Sequence, residues 1–121
     1  MKIEALADLV NSNEALVRRG RYLTTTFMLE VGKKQYCIKI REGYITHVIV
    51  AQVMPSWVFA LRASVEVWEK FLAPVPEPGY NDIMALVRFS RMRLEGNLQP
   101  LMANLLYIKG VLATLRKLEV K

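Results

Sequence analysis

An α+β layer fold is what this 121-residue sequence predicts: a five-stranded, mostly antiparallel sheet with helices covering one face. Three observations predict it. Residues 21–51 hold three alternating runs separated by the turn pairs Gly32-Lys33 and Glu42-Gly43, the pattern of an antiparallel meander. Further on, two more short strands each lead into a helix, at Ser64 and at Gly96-Asn97. The closing helix is apolar on most of its circumference, through Leu98, Leu101, Met102, Leu105, Leu106, Ile108, Val111, Leu112 and Leu115. A surface helix needs only one apolar stripe, so this helix must cover more than a sheet.

The elements follow in order. Residues 3–10 fit a short amphipathic helix with Ile3, Leu6 and Val10 on one face. Asn11-Ser12-Asn13-Glu14 breaks it and caps a further turn or two, which Gly20 ends. Residues 21–31 place Leu23, Thr25, Phe27, Leu29 and Val31 on one side of a strand, and three consecutive threonines favour extended backbone. Residues 34–41 and 44–51 are the next two strands, the second carrying His47 on the side of Ile45 and Ile49. Val53-Met54-Pro55-Ser56 breaks the chain before a fourth strand at 57–63. Ser64 caps a helix over 65–72, with Glu66 near its positive end. Residues 74–79, rich in proline, form an ordered loop too short to separate domains. Asn81 or Asp82 caps a helix reaching Phe89, a strand starts at Met92 and stops at Glu95-Gly96-Asn97, and Pro100 sits near the first turn of the last helix. No repeat or low-complexity tract interrupts this, so residues 1–121 read as a single domain.

Composition narrows the function. Apolar residues make up 53% of the chain, and mean hydropathy is +0.19. A chain of this mass exposes about 20,000 Å² unfolded and about 6,700 Å² folded, enough for a real core but little room to hide that much apolar material. The net charge of +6 suggests an anionic partner, or a basic surface that keeps the chain soluble. The cations are dispersed, with small clusters at Arg18, Arg19, Arg21 and at Arg88, Arg91, Arg93. One cysteine, Cys37, excludes an internal disulfide. The early Glu4 argues against a secretory leader. No stretch reaches the roughly 18 uncharged apolar residues of a membrane span. A cytoplasmic protein is the expectation.

Catalysis finds little support. His47 is the sole histidine and lies mid-strand. No Gly-x-Ser-x-Gly and no Gly-x-Gly occurs, and one Cys with one His cannot supply a zinc site. Cys37 between Tyr36 and Ile38 reads as a packed thiol. Neither an enzyme, a cofactor nor a metal is expected. Nucleic-acid binding wants aromatics interleaved with cations on one strand face. Only residues 36–41 come close, with the aromatic and the charges on opposite faces, so no nucleic-acid partner is expected.

The meander, the segment Phe59-Ala-Leu-Arg62 running into a helix, a helix opening near Asp82, and the closing Leu94-Glu95-Gly96-Asn97 before an apolar helix resemble the sterol carrier protein type 2 (SCP2-like) family over residues 20–116. The resemblance implies a five-stranded sheet whose helices enclose a hydrophobic tunnel for a sterol, fatty acid or acyl chain. It also implies a carrier role in lipid transport or, as in small bacterial members, an accessory role that includes ubiquinone biosynthesis. Where many relatives carry Gly-Lys-rich segments, this chain has its 74–79 loop and Arg88 to Arg93. Phe27, Ile38, Trp57, Phe59, Met84, Leu101, Met102, Leu105, Ile108 and Leu112 either are plain core or line the tunnel; for any one of them core is the commoner outcome, and the tunnel reading rests on their sum, with six methionines and the surplus of the last helix. Arg88, Arg91, Tyr107 and Lys109 are the candidates for an anionic head group. Weak association with anionic membranes is a further expectation. The alternative reading uses the same apolar surplus as an interface, in a homodimer or with a partner enzyme.

Overall fold

The computed structural model describes residues 3–51 and 56–119. A 3₁₀ turn, Ile3–Ala5, runs into α1 (Leu6–Asn11), and α2 (Glu14–Arg19) follows, capped by Asn13, whose Oδ1 accepts the Leu16 N–H at 3.2 Å. The strands are β1 (Thr25–Val31), β2 (Lys34–Arg41), β3 (Tyr44–Ala51), β4 (Phe59–Ala63) and β5 (Met92–Gly96). Helices α3 (Val65–Phe71) and α4 (Ile83–Arg88) separate β4 from β5, and α5 (Gln99–Ala103) and α6 (Leu105–Glu119) close the chain. The sheet order is β3-β2-β1-β4-β5. Among the described strands only the β1–β4 pair is parallel, so the sheet is the mostly antiparallel one expected.

The helix-facing side carries the core: Phe27, Leu29, Ile38, Phe59 and Leu61 meet Leu6, Val10, Leu86, Leu101, Ile108 and Leu112, all fully buried. Phe27 and Phe59 stack across the parallel pair at 5.3 Å. On the other side a smaller cluster of Met28, Cys37 and Ala60 lies beneath Trp57.

Several sequence expectations shift. The first strand begins at Thr25, because Gly20 to Thr24 form a turn in which the Leu23 N–H donates to the Gly20 carbonyl; Leu23 is still buried, which is why the alternation extended over it. The fourth strand starts at Phe59, two residues late, and the last one runs through Gly96. Asp82 precedes α4 without a side-chain cap; its carboxylate accepts Lys109 Nζ at 3.2 Å instead. A bulge sets Lys39 opposite His47 but Ile40 opposite Ile45. One residue is therefore extra on β3, and Ile45 turns into the core while His47 lies exposed on the far side with Ile49. The single closing helix is two. Asn104 breaks it at φ −128°, its Nδ2 donating to the Pro100 carbonyl at 3.0 Å and its own carbonyl accepting the Ile108 N–H. The break expected at 53–55 lies outside the described residues.

Candidate functional site

All but two of the residues singled out from the sequence fall into three groups. Phe27, Ile38, Phe59, Leu101, Ile108 and Leu112 are together in the core, at 0% exposure, packed directly on one another. Met84 and Arg88 share a surface cleft of about 440 Å³ on α4 with Asp82, which holds Lys109. Met102, Leu105 and Tyr107 line a groove of about 310 Å³ where α5 meets α6. Trp57 stands apart on the opposite face of the sheet, under the Arg62 guanidinium at 5.6 Å. Arg91 is separate too. It stacks on Tyr80 at 4.3 Å and on Phe89 at 5.2 Å, and lines a larger cleft of about 700 Å³.

An ion-pair network occupies one side of that larger cleft. Arg62 donates to Glu30 and to Glu95 at 2.6 Å each, and Arg93 reaches the other oxygen of Glu95 at 3.0 Å. The hydrogen bond to Glu95 raises the already high Arg62 pKa, and the same bond holds the Glu95 carboxyl below the usual carboxylate range. Arg62 and Arg93 are thereby paired, while Arg91 on the same cleft has aromatic neighbours and no carboxylate among the described residues. Burial pushes the Cys37 thiol up, against a smaller opposing effect of Lys39, which keeps it protonated and unreactive. Among the described residues no three His, Cys, Asp or Glu side chains gather as metal ligands, and no helix is long and apolar enough to cross a membrane.

The α5–α6 groove differs in kind. Its walls are Met102, Ala103, Leu105 and Leu106, and its cation is Arg19 from the last turn of α2. The groove exists because α2 leans on α6: Gly20 packs so closely on the Tyr107 ring that a β-carbon there would sit 2.5 Å from Cδ1. Tyr107 is 1% exposed, and its hydroxyl donates to the Gly43 carbonyl at 2.7 Å. Burial pushes that phenol well above the usual tyrosine range, so it acts here as a neutral donor already engaged. The Gly43 turn also donates its N–H to the Leu23 carbonyl, just before β1. At that end of β1, on the core side, Thr25 is 8% exposed and its hydroxyl has no partner among the described residues. A buried, unpaired hydroxyl needs an explanation, and an incoming polar group would supply one.

Sequence reasoning did not single out Arg19 or Leu106, which line this groove. The arginine cluster around Arg19 was visible, but its placement beside the last helix depends on packing between distant segments.

No known family profile matches the chain, and no curated protein matches it. Solved structures do. A crystal structure of sterol carrier protein 2 superposes with a TM-score of 0.78 at 14% identity, covering 94% of this chain and 92% of that one. The chain has the sterol carrier protein 2 fold. The sterol carrier protein domain 2 of Helicoverpa armigera matches with a TM-score of 0.62 at 15% identity, over 92% of this chain and 84% of its own. A UbiJ-SCP2 ubiquinone synthesis protein matches with 0.59 at 16% identity, over 95% and 90%. The groove lies where α5 meets α6, beside Arg19 at the end of α2, with the buried Tyr107 at its base.

Proposed function

We propose that this chain binds a single apolar ligand with an anionic or polar end, of the fatty acid, acyl-chain or sterol type, as a carrier or accessory protein that leaves the ligand chemically unchanged. The observation that carries this is the α5–α6 groove, where apolar walls, the Arg19 guanidinium and the break at Asn104 coincide in a sterol carrier fold. The names of two similar structures point the same way, one a sterol carrier and one serving ubiquinone synthesis.

The mechanism is burial. Helix α5 is a five-residue segment held between Gly96-Asn97 and Asn104. Lifting its Leu101 opens a path from the groove toward Ile108, Leu112, Phe27, Ile38 and Phe59, which then line the tunnel. Each Å² of chain removed from water contributes roughly 25 cal/mol. Arg19 holds the head by a charge-assisted hydrogen bond. Arg88 with Met84 forms a second mouth on α4; Arg91 and Lys109 already have partners and serve the head group only by rearranging.

Titration with a fluorescent fatty acid, together with mass analysis of lipid extracted from the purified chain, tests the reading. Saturable uptake that falls in Arg19→Gln is expected. No bound lipid and no probe uptake overturns it.

A second reading has its own observation. The outer edge of β3 carries no charged side chain over eight residues, and Ile49 and Val50 are 45% and 48% exposed there. Among the described residues, Asn11 covers that edge at Ile45, through bonds of 2.8 and 2.9 Å. An unguarded edge is a template for pairing with another strand. A mass that rises with concentration, and returns to monomer in Val50→Lys, would favour the interface reading.

A further inference from the structure

The cleft of about 700 Å³ shares no residue with the α5–α6 groove. Strand β1 separates them. The Gly43 turn that holds Tyr107 adjoins its start and Gly32 its end, about 20 Å away along the strand. The cleft opens where two chain paths diverge. The Gly32 N–H still donates to the Ala63 carbonyl at 3.0 Å; past that bond one path turns back into β2 and the other enters α3 at Ser64. The turn after α4 forms the third side. There the Ser90 N–H donates to the Val87 carbonyl at 3.1 Å and the Arg91 N–H to the Leu86 carbonyl at 2.8 Å, a Schellman turn. Its left-handed position usually holds glycine but here holds Ser90, at φ +59°. Ser90 and Arg91 both line the cleft. Arg91 is fixed by its surroundings. Its guanidinium lies 4.3 Å from the Tyr80 ring and 5.2 Å from that of Phe89, and Nη1 reaches the Gly79 carbonyl at 3.5 Å. A β-carbon on Gly79 would come within 2.9 Å of that nitrogen. The rings set the plane of the guanidinium and take up none of its in-plane N–H donors. Two arginines, Arg62 and Arg93, balance two acids, Glu30 and Glu95. Arg91 is the cation of the cleft that no carboxylate balances among the described residues.

We infer that this cleft binds a phosphate group carried by a small water-soluble molecule, with Arg91 as the anchor and the Ser64 and Ser90 hydroxyls as further donors. A guanidinium held in one plane with free N–H groups matches two oxygens of a phosphate or a carboxylate. The hydroxyls decide between these. Ser64 Oγ accepts the Val67 N–H at 3.3 Å, which leaves its own proton to donate. Ser64 follows β4 and Ser90 follows α4, so donors come from separate walls of the cleft. That suits the several oxygens of a tetrahedral phosphate better than the two coplanar ones of a carboxylate. The volume exceeds a bare phosphate and leaves room for the molecule that carries it. The lining is mostly charged and hydroxyl groups, with Ala63, Val87 and Met92 as its apolar share, and so favours a soluble carrier over an acyl chain or sterol. The site is independent of the proposed lipid ligand, which enters at the other end of β1.

The test is an NMR titration of the isotope-labelled full chain with inorganic phosphate and with glycerol phosphate, against sodium chloride at matched ionic strength. Saturable shifts of the Ser64, Ser90 and Arg91 amides and of the Arg91 Nε–H are expected with both phosphates and not with chloride. Arg91→Lys keeps the charge but loses the fork, and should bind about tenfold or more weakly. Lys117→Gln removes an exposed cation on α6 and should bind like wild type. Arg91 also packs on two rings, so Ser90→Gly serves as a second variant that does not threaten the fold. Glycine adopts φ +59° without strain; the melting temperature should hold or rise while phosphate binding weakens severalfold. Absent shifts, or shifts that chloride reproduces, overturn the inference, as does an equal loss in Lys117→Gln. Full binding by a folded Arg91→Lys overturns the anchor, and full binding by Ser90→Gly overturns the role of its hydroxyl. Dihexanoyl phosphatidic acid distinguishes the source of the phosphate: weaker binding than glycerol phosphate supports the soluble carrier, and tighter binding at the same residues overturns it in favour of a lipid head group. Fatty-acid uptake is measured separately. Phosphate binding without uptake sinks the lipid reading and leaves this site standing; uptake without phosphate binding does the reverse.

Discussion

Replacing Gly96 by alanine perturbs the junction that launches the closing helices, and the structure allows its cost to be worked out. Gly96 sits at φ +87°. A β-carbon there would press on the Val58 carbonyl oxygen and lie 2.9 Å from Trp57 Cζ3 and 3.1 Å from Phe59 Cα. Left-handed backbone costs an L-residue about 1–2 kcal/mol. The steric cost adds about 1–3 kcal/mol, because two of the three neighbours are backbone that cannot swing away. The Asn97 N–H holds the Val58 carbonyl at 2.9 Å, and Phe59 is the sheet partner of Gly96 itself. The sum, about 2–5 kcal/mol, is a large part of the about 5–15 kcal/mol that stabilises a domain. Gly32 is the control. It also has positive φ, +63°, but its added β-carbon would meet Val65 Cγ2 at 2.7 Å, the tip of a half-exposed side chain that can rotate. Gly32→Ala should therefore cost only the conformational term. At about 4 °C per kcal/mol for a domain of this size, Gly32→Ala lowers the melting temperature by about 4–8 °C and Gly96→Ala by about 8–20 °C. Thermal and urea unfolding followed by circular dichroism measure both. Equal losses would refute the steric argument, and an unchanged Gly96→Ala would refute the account of the junction.

Three further outcomes are expected. Tyr107→Phe strands the buried Gly43 carbonyl and should cost about 1–3 kcal/mol in urea titrations. Because burial raises the Tyr107 pKa, the folded chain keeps that proton to higher pH than the unfolded one. Its contribution is complete below the ordinary tyrosine value of about 10 and is lost as pH rises beyond it, so Tyr107→Phe should flatten the alkaline limb of the stability profile. Glu95 has the opposite sign: the Arg62 hydrogen bond lowers its pKa, its contribution is present above the ordinary carboxylate range and is lost as pH falls, and Glu95→Gln should flatten the acid limb. Met102→Trp adds bulk to a side chain 45% exposed in the groove; the melting temperature should hold while uptake of a fluorescent fatty acid falls, and a destabilisation of about 1–3 kcal/mol with uptake intact would mark overpacked core instead.

The meander was readable because its information is local. Gly32 and Gly43 both take positive φ at the turns, and residues 34–41 and 44–51 alternate between two faces, so period and punctuation agree. The misreadings arise where a distant contact decides. Leu23 is buried from within a turn, and burial alone made it look like strand. The face of His47 was inverted by one bulged residue, which no alternation pattern reveals. Asp82 was expected as a cap but is drawn to Lys109, on a helix far along the chain. The Asn104 break was hidden because asparagine is only mildly unfavourable inside a helix; what ends α5 is its side chain returning to the Pro100 carbonyl. The head-group candidate Tyr107 was chosen as the polar tip on the last helix, yet that tip is spent on Gly43. Arg19, which does reach the groove, belongs to α2, and only the packing of Gly20 on Tyr107 brings it there.

The apolar surplus of the closing segment, the strongest signal in the sequence, resolves into two parts with different physical meaning. Leu101, Ile108, Val111, Leu112 and Leu115 point inward at 0% exposure and complete a core that a single-stripe helix could also have completed. Met102 and Leu106 remain outside, on either side of Asn104. A straight helix would have turned its apolar residues around one axis and left some of them facing the polar side at random. The break instead gives α5 and α6 separate axes, so the residues left over gather at one place, beside the arginines of α2. Exposed apolar side chains cost the chain solubility, and keeping them next to cations that pair with no carboxylate among the described residues mitigates that cost in water. The surplus therefore has a location as well as a size, and it is the location, at the mouth of the groove, that ties the excess hydrophobicity to the proposed traffic of an apolar ligand.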